Sequence, residues 1–149
     1  MNTVLLGLAV AVAAPALKDK DKAPAIVGEW VVESVANNGA PAGVGGGLRY
    51  TFTADGEWLI HREGKELPLV GATRGYTVDP KPNPPAVDLV TSRAAGGESR
   101  LLGIFKVEGD TLTICGTRAK GGDRPTKFDA PEGSNLTVYV LKRVMKEKE

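Results

Sequence analysis

The chain has 149 residues, 42% of them hydrophobic and 25% charged, the composition of an ordinary folded domain rather than of a disordered chain. Nineteen Lys plus Arg against eighteen Asp plus Glu leave a formal net charge of +1. That excludes the strong positive field on which nucleic-acid or acidic-membrane binding draws, so no nucleic acid is expected as a partner and one domain is the natural count.

Residues 1–16, MNTVLLGLAVAVAAPA, are apolar from Val4 onward and end in small residues, with Ala-x-Ala steps at Ala11 to Ala13 and Ala14 to Ala16. This predicts a short export signal, although the positive charge that usually precedes the apolar run is missing. The charged stretch KDKDKAP sets this run apart from the body of the protein, within a linker over 17–25. No later run reaches the ~20 apolar residues of a membrane span, so no transmembrane anchor is expected in the mature chain. The expected location is periplasmic or extracellular, and the expected state is a monomer. Cys115 is the single cysteine, so no internal disulfide is available, and within TLTICG it reads as a small buried hydrophobe.

From residue 26 onward, short apolar runs alternate with Gly- and Pro-rich turns. Ile26 to Val35 is the first predicted strand. GLRYTFT, Gly47 to Thr53, alternates with Leu48, Tyr50 and Phe52 on one face, and Ala54-Asp55-Gly56 turns the chain into Glu57 to His61, where Trp58 and Ile60 share a face. ELPLV is an edge strand or a loop, because Pro68 has no donor for a ladder. GYTVD, Gly75 to Asp79, precedes a stiff connection at Pro80 to Pro85 and a strand over Ala86 to Thr91. Arg100 to Val107, the Gly109-Asp110 turn and Leu112 to Cys115 make the clearest hairpin. A polar loop over Gly116 to Ser134 leads to NLTVYVLKR, for which Leu136, Val138 and Val140 are the expected inward face. Residues 144–149 form a polar tail.

These runs predict an all-β domain over 26–143 with about eight strands and no convincing helix. Sequential hairpins favour an antiparallel up-and-down β-barrel over a sandwich, which needs longer crossings.

Gly28-x-Trp30 on the first strand and Arg143 on the last resemble the calycin pattern. With IVGEWVVES, the NNG turn, LRYTFTADGEW, GYTVDPKPNPPAVDL, LLGIFKVEGDTLTICG and DRPTKFDAPEGSNLTVYVLKR, the chain looks like the small, mostly exported lipocalin-like domains abundant in planctomycete bacteria. The resemblance implies a lipocalin-like barrel in which Gly28, Trp30 and Arg143 close the floor, and it implies no established chemistry. Asp79-Pro80 and the DRPTKF segment recur in that pattern as structural landmarks. Pro125 restricts Arg124 to extended geometry, and Phe128 is expected to plug one open end of the barrel, so Arg124, Pro125 and Phe128 form an expected loop plug. Arg124 itself is expected at the surface, with ties to backbone carbonyls or an anion as the alternatives.

No enzyme activity is expected, and no catalytic residue, metal site or cofactor is assigned. His61 is the sole histidine and falls on the outward, solvated face. The aspartates lie mostly in turns, no two of them spaced as an acid and base, and GVGGG at 43–47 lacks the Lys-Ser partner and helix of a phosphate loop. Binding is the more plausible activity. An eight-stranded barrel is wide enough for packed side chains or one small ligand. Aromatic residues make up only 5% of the chain, which leaves room for a small apolar cavity. Trp30, Tyr50, Phe52, Trp58, Tyr76 and Phe105 are its candidate lining, with Tyr50 and Tyr76 as polar handles. The expected partner is therefore a small hydrophobic ligand. The alternative is an envelope protein bound through the long loops of a non-catalytic scaffold, possible inhibition of an extracellular enzyme included.

Overall fold

The computed structural model describes residues 24–43, 47–67 and 71–145. The expected export signal, the linker up to residue 23, the centre of the GVGGG loop, Pro68 to Val70 and the tail from 146 lie outside the described residues. The described chain is all-β, without a helix, and forms one antiparallel sheet. The strands are β1 (Gly28–Asn37), β2 (Ala40–Ala42), β3 (Leu48–Phe52), β4 (Trp58–Arg62), β5 (Lys65–Glu66), β6 (Ala72–Asp79), β7 (Ala86–Arg93), β8 (Glu98–Glu108), β9 (Thr111–Thr117) and β10 (Leu136–Arg143). Setting aside the very short β2 and β5 leaves the eight strands that the turn spacing predicts.

Their order is β5-β4-β3-β1-β10-β9-β8-β7-β6, with β2 on the free part of the β1 edge. The sheet is a meander whose last strand returns to pair with its first, and it curls into an open, lipocalin-like barrel. Its seam falls between β4 and β6. There a single bridge, Glu57 to Gly75, joins the two sides, reinforced by the Tyr76 amide donating to the Gly56 carbonyl at 2.9 Å. Above that point β4 instead pairs with β5, through His61–Glu66 and Arg62–Lys65.

Turn chemistry explains the hairpins. Asn38 and Gly39 both have positive φ, as do Glu63 and Gly64, which is what a tight two-residue hairpin requires. A side chain at Gly39 would also collide with the backbone of Glu132, so the β1–β2 turn is a dock for the loop before β10.

The core lies inside the curl. Ile26, Trp30, Val32, Tyr50, Phe52, Trp58, Tyr76, Val87, Leu89, Leu101, Phe105, Leu112, Ile114 and Leu141 are buried together. Strand β10 corrects the expected phase. Leu141 is fully buried and Tyr139 packs against the core, whereas Val138 and Val140 face outward and are half-buried. Both faces of β10 are apolar, so alternation alone does not set its phase. Pairing does: Trp30 stands opposite Arg143 and Val32 opposite Leu141, and a bulge between Val32 and Ser34 then brings Val35 opposite Tyr139.

A second, smaller buried group lies on the outer face, where Ala86, Ile104 and Cys115 share a row of paired residues and Thr117 follows Cys115 on the same side. The chain between β9 and β10 crosses this face, contributing the buried Pro125 and Ala130. The Cys115 thiol donates to the Asp129 carbonyl, and burial pushes its pKa up.

Inside, Gly103 and Gly116 are paired with each other and make room for Leu101. A Cβ on Gly116 would fall 2.4 Å from Leu101 Cδ2, and Leu101 has nowhere to go. Gly116→Ala should therefore cost about 1–3 kcal/mol in denaturant unfolding. Gly43→Ala, at a site with open space around it, should leave the midpoint nearly unchanged.

Candidate functional site

The two ends of the barrel differ. At the lower end, where β1 begins and β10 ends, the Arg143 guanidinium lies over the Trp30 ring, 4.2 Å from its centroid, and its nitrogens reach the carbonyls of Val27 and Ala25 at 3.5 Å. The Trp30 indole N–H donates to the Ile26 carbonyl at 2.8 Å, which folds the chain before β1 back beneath the barrel and buries Ile26. Gly28 has φ of 137°, and a Cβ there would sit 3.0 Å from Arg143 Nη1, so the glycine clears the way for the arginine. Both the ring face and the N–H of Trp30 are thus committed to this floor. Tyr76 is committed as well, its hydroxyl donating to the Thr53 carbonyl and its ring meeting Phe52 edge-on at 5.2 Å.

The upper end is less complete. Val35, Leu48, Ile60 and Tyr139 pack against the core from this half and remain partly exposed; Val78 and Val107 do so near the lower rim. Tyr50 is the hub, meeting Phe52 at 6.5 Å, Trp58 at 5.3 Å and Tyr139 at 6.2 Å between ring centroids. Phe105 lies in the same core on β8, opposite Ile114. All six residues expected to line the interior are therefore buried in one core; Trp58 and Tyr76 stand on the two seam strands, and of the six only Trp58 lines the slot that opens between them.

At the seam β4 and β6 part, leaving an open slot of about 340 Å³ lined by Glu57, Trp58, Leu59, Glu66, Ala72, Thr73 and Arg74. Arg74 lies over the Trp58 ring at 5.6 Å and donates from Nη1 to the Leu67 carbonyl at 3.0 Å, bridging the gap by side chain where the ladder is missing. Burial holds Arg74 below the ordinary guanidinium value, against Glu66 and Tyr50, which raise it. The Trp58 indole nitrogen is buried and has no hydrogen-bond partner among the described residues. An orphaned buried donor costs about 1–3 kcal/mol, so an acceptor supplied from outside the protein would recover that energy.

Sequence reasoning missed Arg74, Arg118 and Tyr139. Arg74 lies two residues before Tyr76 and so in the inward phase of β6, which is longer than GYTVD indicates. Arg118 continues the phase of Leu112, Ile114 and Gly116 one step past β9. Tyr139 was hidden by the phase of β10.

The DRPTKF segment does not plug an end of the barrel. It lies on the outer face. Phe128 is only half-buried and stacks with Lys106, its ring centroid 4.9 Å from Nζ, because the covering loop crosses the wall rather than the opening. Arg124 is not a free surface charge. From Nη1 it bonds Asp88 at 2.6 Å, the Gly103 carbonyl at 2.8 Å and the Val87 carbonyl at 3.4 Å, pinning the loop to β7 and β8. Asp88 also pairs with Arg100 at 3.0 Å. His61 lies on the outer face, half-buried. Among the described residues no group of three or more His, Cys, Asp or Glu is placed to hold a metal ion.

Trp30→Ala removes the largest buried ring of the floor and should cost about 3–5 kcal/mol, read from thermal or chemical unfolding. For Tyr50, burial raises the phenol from 10.0 to about 12, with Tyr139 adding to the rise and Arg118 and Arg74 opposing it. The folded value exceeds the unfolded one, so this contribution to stability is whole below about pH 10 and is lost as the pH climbs through about 12. Burial raises the Tyr76 phenol too, so ultraviolet difference spectra should show late tyrosinate formation that Tyr50→Phe diminishes by one residue's amplitude. Compared with protein-family models, curated proteins and solved structures, the chain gives no significant match.

Proposed function

We propose that this chain is an exported, non-catalytic, lipocalin-like binding module that holds a small hydrophobic ligand at the upper, split end of its barrel. The observation that carries the reading is the slot between β4 and β6, lined by Trp58, whose buried indole nitrogen has no partner among the described residues, with partly exposed apolar side chains above it. The lower end also holds a depression, of about 440 Å³ and lined by Val27, Gly28, Glu29, Thr51, Phe52, Arg143 and Val144, but there the Trp30 indole N–H and the Arg143 guanidinium are already engaged, by the carbonyls of Ile26, Val27 and Ala25. Membership of the small lipocalin-like domains of planctomycete bacteria belongs to the same proposal and is supported by the Gly28, Trp30 and Arg143 arrangement. Export is supported by the apolar first sixteen residues and their small-residue ends.

A second reading, an envelope interaction module, is favoured by the Arg124 clamp, which holds a groove lined by Asp123, Pro125, Lys127, Asp129 and Leu136 in fixed shape on the outer wall. The two readings separate on one measurement. The uncharged fluorophore N-phenyl-1-naphthylamine should bind saturably, at about one molecule per chain, and quench tryptophan emission through Trp58. A linear, non-saturating response would remove the small-ligand reading and leave the interaction module.

A further inference from the structure

Resting on that small-ligand reading, we infer that the slot end of the barrel selects an amphiphile with an anionic oxygen head, a carboxylate or similar oxyanion on an apolar body. The groups that converge on the inner side of the slot are hydrogen-bond donors. Arg74 carries five guanidinium N–H groups and spends one nitrogen on the Leu67 carbonyl. Trp58 offers an indole N–H that no group among the described residues accepts, although the residue is only 3% exposed. Tyr50 brings a hydroxyl into the same electrostatic neighbourhood as Arg74, Arg118 and Tyr139. Arg118 does not line the slot; it is exposed just past β9, beside a separate groove with Arg93, Glu98 and Arg100, and bears on Tyr50 only as a charge at longer range.

Among the described residues Arg74 makes no ion pair: Glu66 acts on it only through space, without a hydrogen bond. The two carboxylates of the slot, Glu57 and Glu66, are exposed. Glu57 lies on the outer-face phase of β4, one residue before Trp58, and Glu66 lies on the short β5. They would repel an anion from the outer lip and leave the inner side, beside Trp58 and Arg74, as its place. The body of the ligand then lies toward Ile60, Leu48, Val35 and Tyr139, the apolar side chains left partly uncovered. A neutral apolar ligand would fill that space and still leave the Trp58 donor orphaned. An oxyanion head satisfies the donor and draws on a charge-assisted bond to Arg74 at once.

The test compares two ligands of equal chain length, decanoate and 1-decanol, as displacers of N-phenyl-1-naphthylamine from the intact mature protein. Decanoate should displace it at about tenfold lower concentration than decanol, the discrimination expected of a charge-assisted bond in a partly buried site. In Arg74→Gln that ratio should collapse toward one. In Arg118→Gln, whose side chain is exposed and whose replacement does not threaten the fold, it should fall about threefold, as loss of a screened charge allows. Reading the ratio within each variant cancels any change in fluorophore affinity. Equal displacement by the two ligands, or a ratio unmoved in both variants, overturns head selection while fluorophore binding keeps the apolar-cargo reading. Failure of the fluorophore itself to bind overturns both.

Discussion

The stacking of Arg143 on Trp30 is the contact around which the rest of the barrel is arranged. It ties the last strand to the first across more than a hundred residues, and it does so at the pair that sets their register. Arg143 is half-buried, and a cation over an indole in such a setting is worth about 0.5–2 kcal/mol. More consequential is the geometry it enforces. With Arg143 turned inward, Leu141 and Tyr139 must follow, and the apolar residues on the other face of β10 are left to the outer wall. Gly28 clears the space, and the Ile26 carbonyl receives the indole N–H, so four residues from the two ends of the domain make one closed floor.

A floor this complete allows the other end to be incomplete. Loss of ladder between β4 and β6 leaves one bridge and the bonds of Tyr76 to Gly56 and Thr53 to hold the two edges together, and a side chain, Arg74, spans the gap above them. The outer wall is strengthened independently. There the loop before β10 lies on Ala86, Ile104 and Cys115, and Arg124 fastens it to carbonyls of β7 and β8 as well as to Asp88. The barrel thus carries two separate apolar layers, one inside the curl and a thinner one between wall and loop.

Most of the fold was legible in the sequence because the strands announce themselves by turn chemistry. Asn38-Gly39, Ala54-Asp55-Gly56 and Gly109-Asp110 each sit at a hairpin, and the run Leu48, Tyr50, Phe52 keeps its inward face. The errors share a physical origin. In NLTVYVLKR both faces are apolar, so the period of two is present but its phase is not, and only the partner strand decides it. For DRPTKF, local pattern says that Phe128 is apolar and that Pro125 is rigid, but not which side of the sheet the loop crosses. The site was harder still. Tyr50 and Trp58 were legible as inward aromatics, whereas the arginines beside them are charged residues at strand ends, where solvent exposure is the ordinary outcome. Arg74 becomes a site residue only because β6 departs from β4 above Gly75, a three-dimensional fact with no local signature.

That departure also makes the molecule mechanically uneven around its circumference. From β3 through β1, β10, β9, β8 and β7 to β6, continuous ladders resist separation. Across the seam, among the described residues, one bridge, the Tyr76 bonds to Gly56 and Thr53 and one guanidinium bear the load. Thermal strain will therefore relax where resistance is least, by a widening of the slot that leaves Trp30, Leu112 and Ile114 in place. Such a barrel can breathe at its lip without any rearrangement of its floor, and exchange with the surroundings need not wait for unfolding.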